Sequence, residues 1–132
     1  MIINIQTGIE NKVIREVTEN DIASVFGKEY MQVLTTSRIV DFMEYVALSS
    51  VQNYLPEGWS TIGIHMNIYH SKHALPGENL TCYSKLIESE GRRLVFDLNL
   101  RTQSGIIANA SHTRLIINTK AFERMIKKDH VD

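Results

Sequence analysis

The clearest pattern along the chain has a helical period. Over residues 36–54, Ile39, Val40, Met43, Val46, Ala47, Ser50, Val51 and Tyr54 recur on one face, while Arg38, Asp41, Tyr45, Ser49 and Gln52 fall opposite. The apolar arc extends through Leu48 and Leu55, which predicts a helix covered over most of its surface. Pro56 and Gly58 supply its stop. Beyond that point the period changes to two. Ile62, Ile64, Met66 and Ile68 alternate with Gly63, His65, Asn67 and Tyr69, and Leu94, Phe96, Leu98 and Leu100 alternate as strictly. Turns are predicted at residues 75–78, 90–92 and 103–105. The last long strand spans 106–118, with a shift in its alternation at 111–114 that predicts a bulge. A weaker alternation at 12–18 predicts a first strand. A helical turn over 21–26, with Asn20 or Asp21 as its cap, and a terminal helix over 120–127 complete the reading.

A long helix followed by strands that each carry one apolar face predicts an α+β fold, a curved antiparallel sheet wrapped on a buried helix. With 132 residues and no repeat or linker, one domain over 1–132 is expected. An edge strand in such a sheet favours pairing with a second copy, so a homodimer is expected. The net charge of -1 and scattered basic residues argue against nucleic acid as a partner. No apolar run approaches the roughly 20 residues of a membrane span, and residues 1–5 lack a basic leader segment. A lone cysteine, Cys82, excludes an intrachain disulfide, reads as a buried structural thiol, and with the rest points to the cytoplasm.

Three residues stand out for chemistry. Glu44 projects among Val40, Ala47, Leu48, Val51 and Leu55, where a carboxylate is costly unless paired, hydrogen-bonded or protonated. It reads either as a structural partner or as a reactive group. His70 continues the even-numbered face of its strand, and reads either as a core histidine or, beside a carboxylate, as a proton carrier. Thr36, in the run Thr35-Thr36-Ser37, reads either as a helix cap or as a hydroxyl that holds a carbonyl oxygen. Glu44 and His70 are expected to meet in one partly dry crevice. Thr36 and Glu44, however, lie roughly 12 Å apart along one helix, which suggests a site shared between two subunits. His70 and His73 have a metal-like spacing but no Cys, Asp or third His follows at a recognisable interval, and no phosphate loop, nucleophile elbow or dinucleotide fingerprint calls for a cofactor.

Taken together, Val33-Leu34-Thr35-Thr36, Met43-Glu44, Gly63, His70 with Pro76-Gly77, Gly91-Arg92-Arg93-Leu94 and His112-Thr113-Arg114 resemble the fluoroacetyl-CoA thioesterase-like hotdog proteins. The resemblance covers about residues 17–124. It implies a hotdog fold, a catalytic set of Thr36, Glu44 and His70 at a dimer interface, and Ser37, Gly63, Pro76 and Gly77 against the substrate. It further implies hydrolysis of a small or medium acyl thioester carried by CoA or an acyl carrier protein. Thr35-Thr36-Ser37 replaces the family's common Ala-Thr-Pro, and Lys72 and His73 replace small or apolar residues, so the acyl group stays open. A non-catalytic acyl-CoA-binding module is the alternative, recognised by ligand stabilisation without thiol release. An enoyl-thioester hydratase would need an Asp/His segment that these residues do not form.

Overall fold

The computed structural model describes residues 3–22 and 31–130. Five strands, β1 (Glu10–Glu16), β2 (Trp59–His70), β3 (Asn79–Glu90), β4 (Arg93–Thr102) and β5 (Gly105–Asn118), form one antiparallel sheet in the order β1-β3-β4-β5-β2. Helix α1 (Thr36–Gln52) lies on its inner face, and α2 (Thr119–Asp129) follows β5. The expected wrapped-helix arrangement is therefore present, and the weak first strand takes its place at one edge.

The core explains the patterning. Ile39, Met43, Val46, Ala47 and Val51 of α1 are fully buried against Leu80, Cys82 and Leu86 of β3, Leu94, Phe96 and Leu100 of β4, and Ile107 of β5. Asn11 on β1 donates to Val46 O and to Ser49 Oγ, both at 3.1 Å, and so ties that edge to the helix. The helix ends two residues earlier than expected. Asn53 caps it, and Tyr54 lies exposed beyond its end rather than in the apolar stripe. Phe42 takes a buried place that the projected stripe left out. Cys82 is the structural thiol expected, with burial pushing its pKa up to about 12.

The short turn before the helix is a 3-10 turn at Glu19–Asp21, capped by Thr18 and not by Asn20 or Asp21. The Asp21 carboxylate accepts from Thr18 N at 2.7 Å and from Arg15 Nη2 at 2.6 Å, while its carbonyl accepts from Thr35 N. Residues 23–26 of the expected turn lie outside the described residues.

The predicted bulge is real, but the extra residue is on the partner strand. Gly63 pairs with Arg114 and His65 with Thr113, which leaves Ile64 of β2 unmatched. One inserted residue reverses which side chains face inward. Before the bulge Thr61 is buried, with Gly63 on the same side. After it Met66, Ile68 and His70 turn inward. Ile64, expected on the core face, is 54% exposed, and Ile62 is only half-buried. His70 keeps its expected inward position because it follows the shift.

Candidate active site

The N-terminus of α1 separates capping from chemistry. Thr35 is the cap, its Oγ1 accepting from Arg38 N at 3.2 Å and lying 3.2 Å from Ser37 Oγ. Thr36 is thus free of the capping role, and its hydroxyl lies 2.9 Å from His70 Nδ1. The other ring nitrogen, His70 Nε2, is buried and has no hydrogen-bond partner among the described residues. Buried polar atoms are normally satisfied, so an open imidazole nitrogen held by a hydroxyl is a group available for proton transfer.

Two turns along the helix, Glu44 reaches a different cluster. Its Oε1 lies 3.8 Å from Arg114 Nη1, and 40% of its side chain stays open while Arg114 is almost wholly buried. Arg114 donates from Nε to Thr61 Oγ1 at 2.7 Å and from Nη2 to Thr61 O at 2.9 Å. Its Nη1 is 3.1 Å from His112 Nε2, and His112 Nδ1 is 2.7 Å from His65 O. Burial pulls the Arg114 pKa down, and the Glu44 carboxylate acts in the opposite sense. Burial is also the leading cause that lowers the His112 pKa; the His65 carbonyl and Glu44 oppose it, and Arg114 and the His65 ring reinforce it.

Gly63 is the floor under this carboxylate. A Cβ there would overlap Glu44 Oε1, and would lie 3.0 Å from His112 Cε1 and 3.1 Å from Arg114 Nη1. Only a residue without a side chain lets the helix carboxylate come down onto the strand. Pro76 and Gly77 form the turn between β2 and β3, where Gly77 (φ +93°) donates its N–H to Val17 O at 2.9 Å. That turn fastens the end of β1.

The chain therefore carries two pairs, Thr36 with His70 and Glu44 with Arg114. No hydrogen bond or ion pair joins them among the described residues. The expectation that Glu44 and His70 meet is not met within one chain, because β2 runs about 20 Å from Gly63 to His70 at the usual rise per residue. His112 and Arg114 belong to the site although periodicity assigned them no role. Their signal was the broken alternation, three consecutive buried residues His112, Thr113 and Arg114 in the middle of a strand.

Known proteins match this architecture. The family described as FlK: Fluoroacetyl-CoA-specific thioesterase matches residues 17–120. A curated relative, the fluoroacetyl-CoA thioesterase of Streptantibioticus cattleyicolor, is 25% identical over 100 residues, which span 76% of this chain and 72% of that protein. The hot-dog-like protein from Thermanaerovibrio acidaminovorans superposes with a TM-score of 0.89 at 19% identity, over 96% of this chain and 93% of its own. A mutant of the thioesterase FlK solved in complex with acetyl-CoA gives 0.90 at 20% identity, over 96% and 100% of the two chains. The expected hotdog fold is thus established.

Proposed function

The chain belongs to the fluoroacetyl-CoA-specific thioesterase family and hydrolyses acyl-CoA thioesters, and we propose that Thr36, Glu44 and His70 carry that reaction in a site completed by two copies of the chain. The observation that carries the residue assignment is the Glu44 carboxylate: beside one buried guanidinium, over a glycine floor, with 40% of its side chain still open. A carboxylate so held can act on a thioester carbonyl without being neutralised by a contact ion pair.

The second copy supplies what one chain separates. β2 is an edge strand, and antiparallel pairing with its counterpart, centred between Met66 and Asn67, sets Gly63 across from His70 of the other copy. Half-buried Val40 and Leu48 flank Glu44 on the helix, an apolar margin suited to the same interface. Glu44 of one copy and the Thr36–His70 pair of the other then flank one substrate. Ser37, Gly63 and the Pro76–Gly77 turn line the approach of the pantetheine arm.

In this site Glu44 takes a proton from the water that attacks the thioester carbon, or attacks that carbon itself to form a mixed anhydride that water then cleaves to the free acid and the restored carboxylate. The C–S bond breaks as the carbonyl re-forms, and CoA leaves as a thiolate that is protonated through His70. Thr36 orients the imidazole through Nδ1. The acyl group is small or medium in size, the carrier is CoA, and the lone buried thiol suits a reducing, cytoplasmic setting.

Thiol release from a panel of acyl-CoA thioesters is the test. Wild type should turn over at least one of them, and Glu44→Gln should lose about a hundredfold or more in kcat. A Glu44→Gln enzyme as fast as wild type would refute the assignment. An acyl mass on the Glu44 peptide with a slow substrate marks direct attack, and its absence marks activated water. Sedimentation should find a dimer, and a fully active monomer would remove the shared site.

A further inference from the structure

We infer that His112 is a positioning residue of this thioesterase: locked in one neutral tautomer, it holds the Arg114 guanidinium off Glu44 and keeps the carboxylate free to react. The inference rests on the proposed hydrolytic site and deepens it.

The tautomer follows from what each partner can do. A carbonyl oxygen only accepts, so at 2.7 Å from His65 O the His112 Nδ1 carries the hydrogen. A guanidinium only donates, so at 3.1 Å from Arg114 Nη1 the His112 Nε2 is bare and accepts. An imidazolium would set two donors against each other at that contact. The carbonyl that fixes this choice comes from the residue directly after the bulged Ile64. The same irregularity that turns His70 inward thus has a second use.

Arg114 is held at three nitrogens. Thr61 fixes two of them, through its hydroxyl to Nε and through its carbonyl to Nη2. The third, Nη1, is the nitrogen nearest Glu44, and among the described residues only His112 hydrogen-bonds it. An apolar side chain at position 112 would fill the same space yet leave Nη1 facing Glu44 alone. The guanidinium could then close the 3.8 Å gap into a contact ion pair and engage the carboxylate. His112 competes for that nitrogen and so maintains the separation. Being 1% exposed, it touches the chemistry only through Arg114.

Two substitutions divide its functions. Asparagine keeps a donor near Nδ1 for the His65 carbonyl but offers Arg114 nothing, whereas glutamine can reach the Nε2 position with an accepting oxygen. With an acyl-CoA that wild type hydrolyses, His112→Asn should lose between about tenfold and a hundredfold in kcat with little change in KM, and His112→Gln should stay within about threefold of wild type. Equal kcat values for the two variants, whether both normal or both reduced, would overturn the role. Nitrogen NMR of histidine-labelled wild type supplies a readout that does not depend on how the variants fold. It should show His112 with Nδ1 protonated and Nε2 bare at neutral pH, and an Nε2–H form or an imidazolium would overturn the tautomer. A wild type silent on every acyl-CoA would sink the hydrolytic reading and the role with it, while the tautomer would still stand or fall by NMR.

Discussion

The two residue pairs of the proposed site are built on opposite plans. At the Glu44 end, Arg114, His112 and Thr61 are buried and the hydrogen bonds that hold them come from within the chain. At the Thr36 end, an exposed hydroxyl meets a half-buried imidazole through one hydrogen bond. A buried polar network is stable only when every member is satisfied, so its parts fail together. A single surface hydrogen bond carries little stability and can be removed alone. The first end should therefore answer mutation in both stability and rate, and the second in rate only.

Arg114→Met should show the largest effect on folding. It leaves the Thr61 hydroxyl and carbonyl, His112 Nε2 and the Glu44 carboxylate without their partner at once. Breaking a buried charged network typically costs about 3–5 kcal/mol, and the low end applies because water can reach Glu44. Urea midpoints measure this, and a loss under about 1 kcal/mol would show that the cluster is not a cooperative unit. Gly63→Ala comes next. Its φ is not in the left-handed region, so only the added methyl matters, and that methyl meets Glu44 Oε1, His112 and Arg114 together. Overpacking of this kind costs about 1–3 kcal/mol. Hydrolysis should fall with it, because the carboxylate must leave its seat.

The other end predicts the reverse. Thr36→Val should change stability by no more than about 0.5 kcal/mol, since Thr35 and not Thr36 caps the helix. Yet it should lower kcat by about a hundredfold as His70 loses its orientation. Thr35→Ala sharpens the contrast, because removing the cap costs about 1 kcal/mol and leaves the Thr36–His70 hydrogen bond in place. If the two threonines exchanged these effects, the division between cap and catalytic hydroxyl would be wrong.

How much of this was legible in the sequence depends on whether a feature is periodic. The helix and the strand faces were, because burying one side of a regular element imposes a regular pattern. Thr36, Glu44 and His70 were also visible, as polar residues set where the pattern called for apolar ones or for a cap. The bulge was visible only as a disturbance in β5, whereas the inserted residue, Ile64, sits in β2. An isoleucine in an alternating run carries no mark of being skipped. The Arg114 cluster was hidden for a related reason. The hydrogen bonds from Arg114 to Thr61 join residues 53 positions apart, and nothing local distinguishes a buried arginine from a bulge in the pattern. That Thr36 and Glu44 stay apart within one chain was legible in their helical spacing, but the separation of Glu44 from His70 was not, since it follows from strand length and register.

The smallest effect tests the buried end most selectively, because acid reaches His112 before it reaches the carboxylate that Arg15 and Thr18 hold. His112 has its pKa lowered in the folded protein, chiefly by burial. Below the ordinary imidazole value of 6.5 the unfolded chain therefore binds a proton that the folded chain resists. Stability from this residue is complete above that value and is lost as pH falls toward the lowered folded value. The groups that face it set the sign: Arg114 of β5 and the His65 ring of β2 oppose the proton, while Glu44 of α1 and the His65 carbonyl favour it. Asp21 is lowered too, burial pulling one way and Arg15 and Thr18 prevailing the other, but its window opens only below the usual carboxylate value of 3.8. Between about pH 6.5 and 5 the decline therefore follows His112. His112→Gln cannot titrate, so its urea midpoint should fall less than that of wild type across this interval. The difference should be on the order of 1 kcal/mol or less. Parallel profiles would mean that His112 is protonated as readily in the fold as out of it, and that neither its burial nor its Arg114 contact resists the proton.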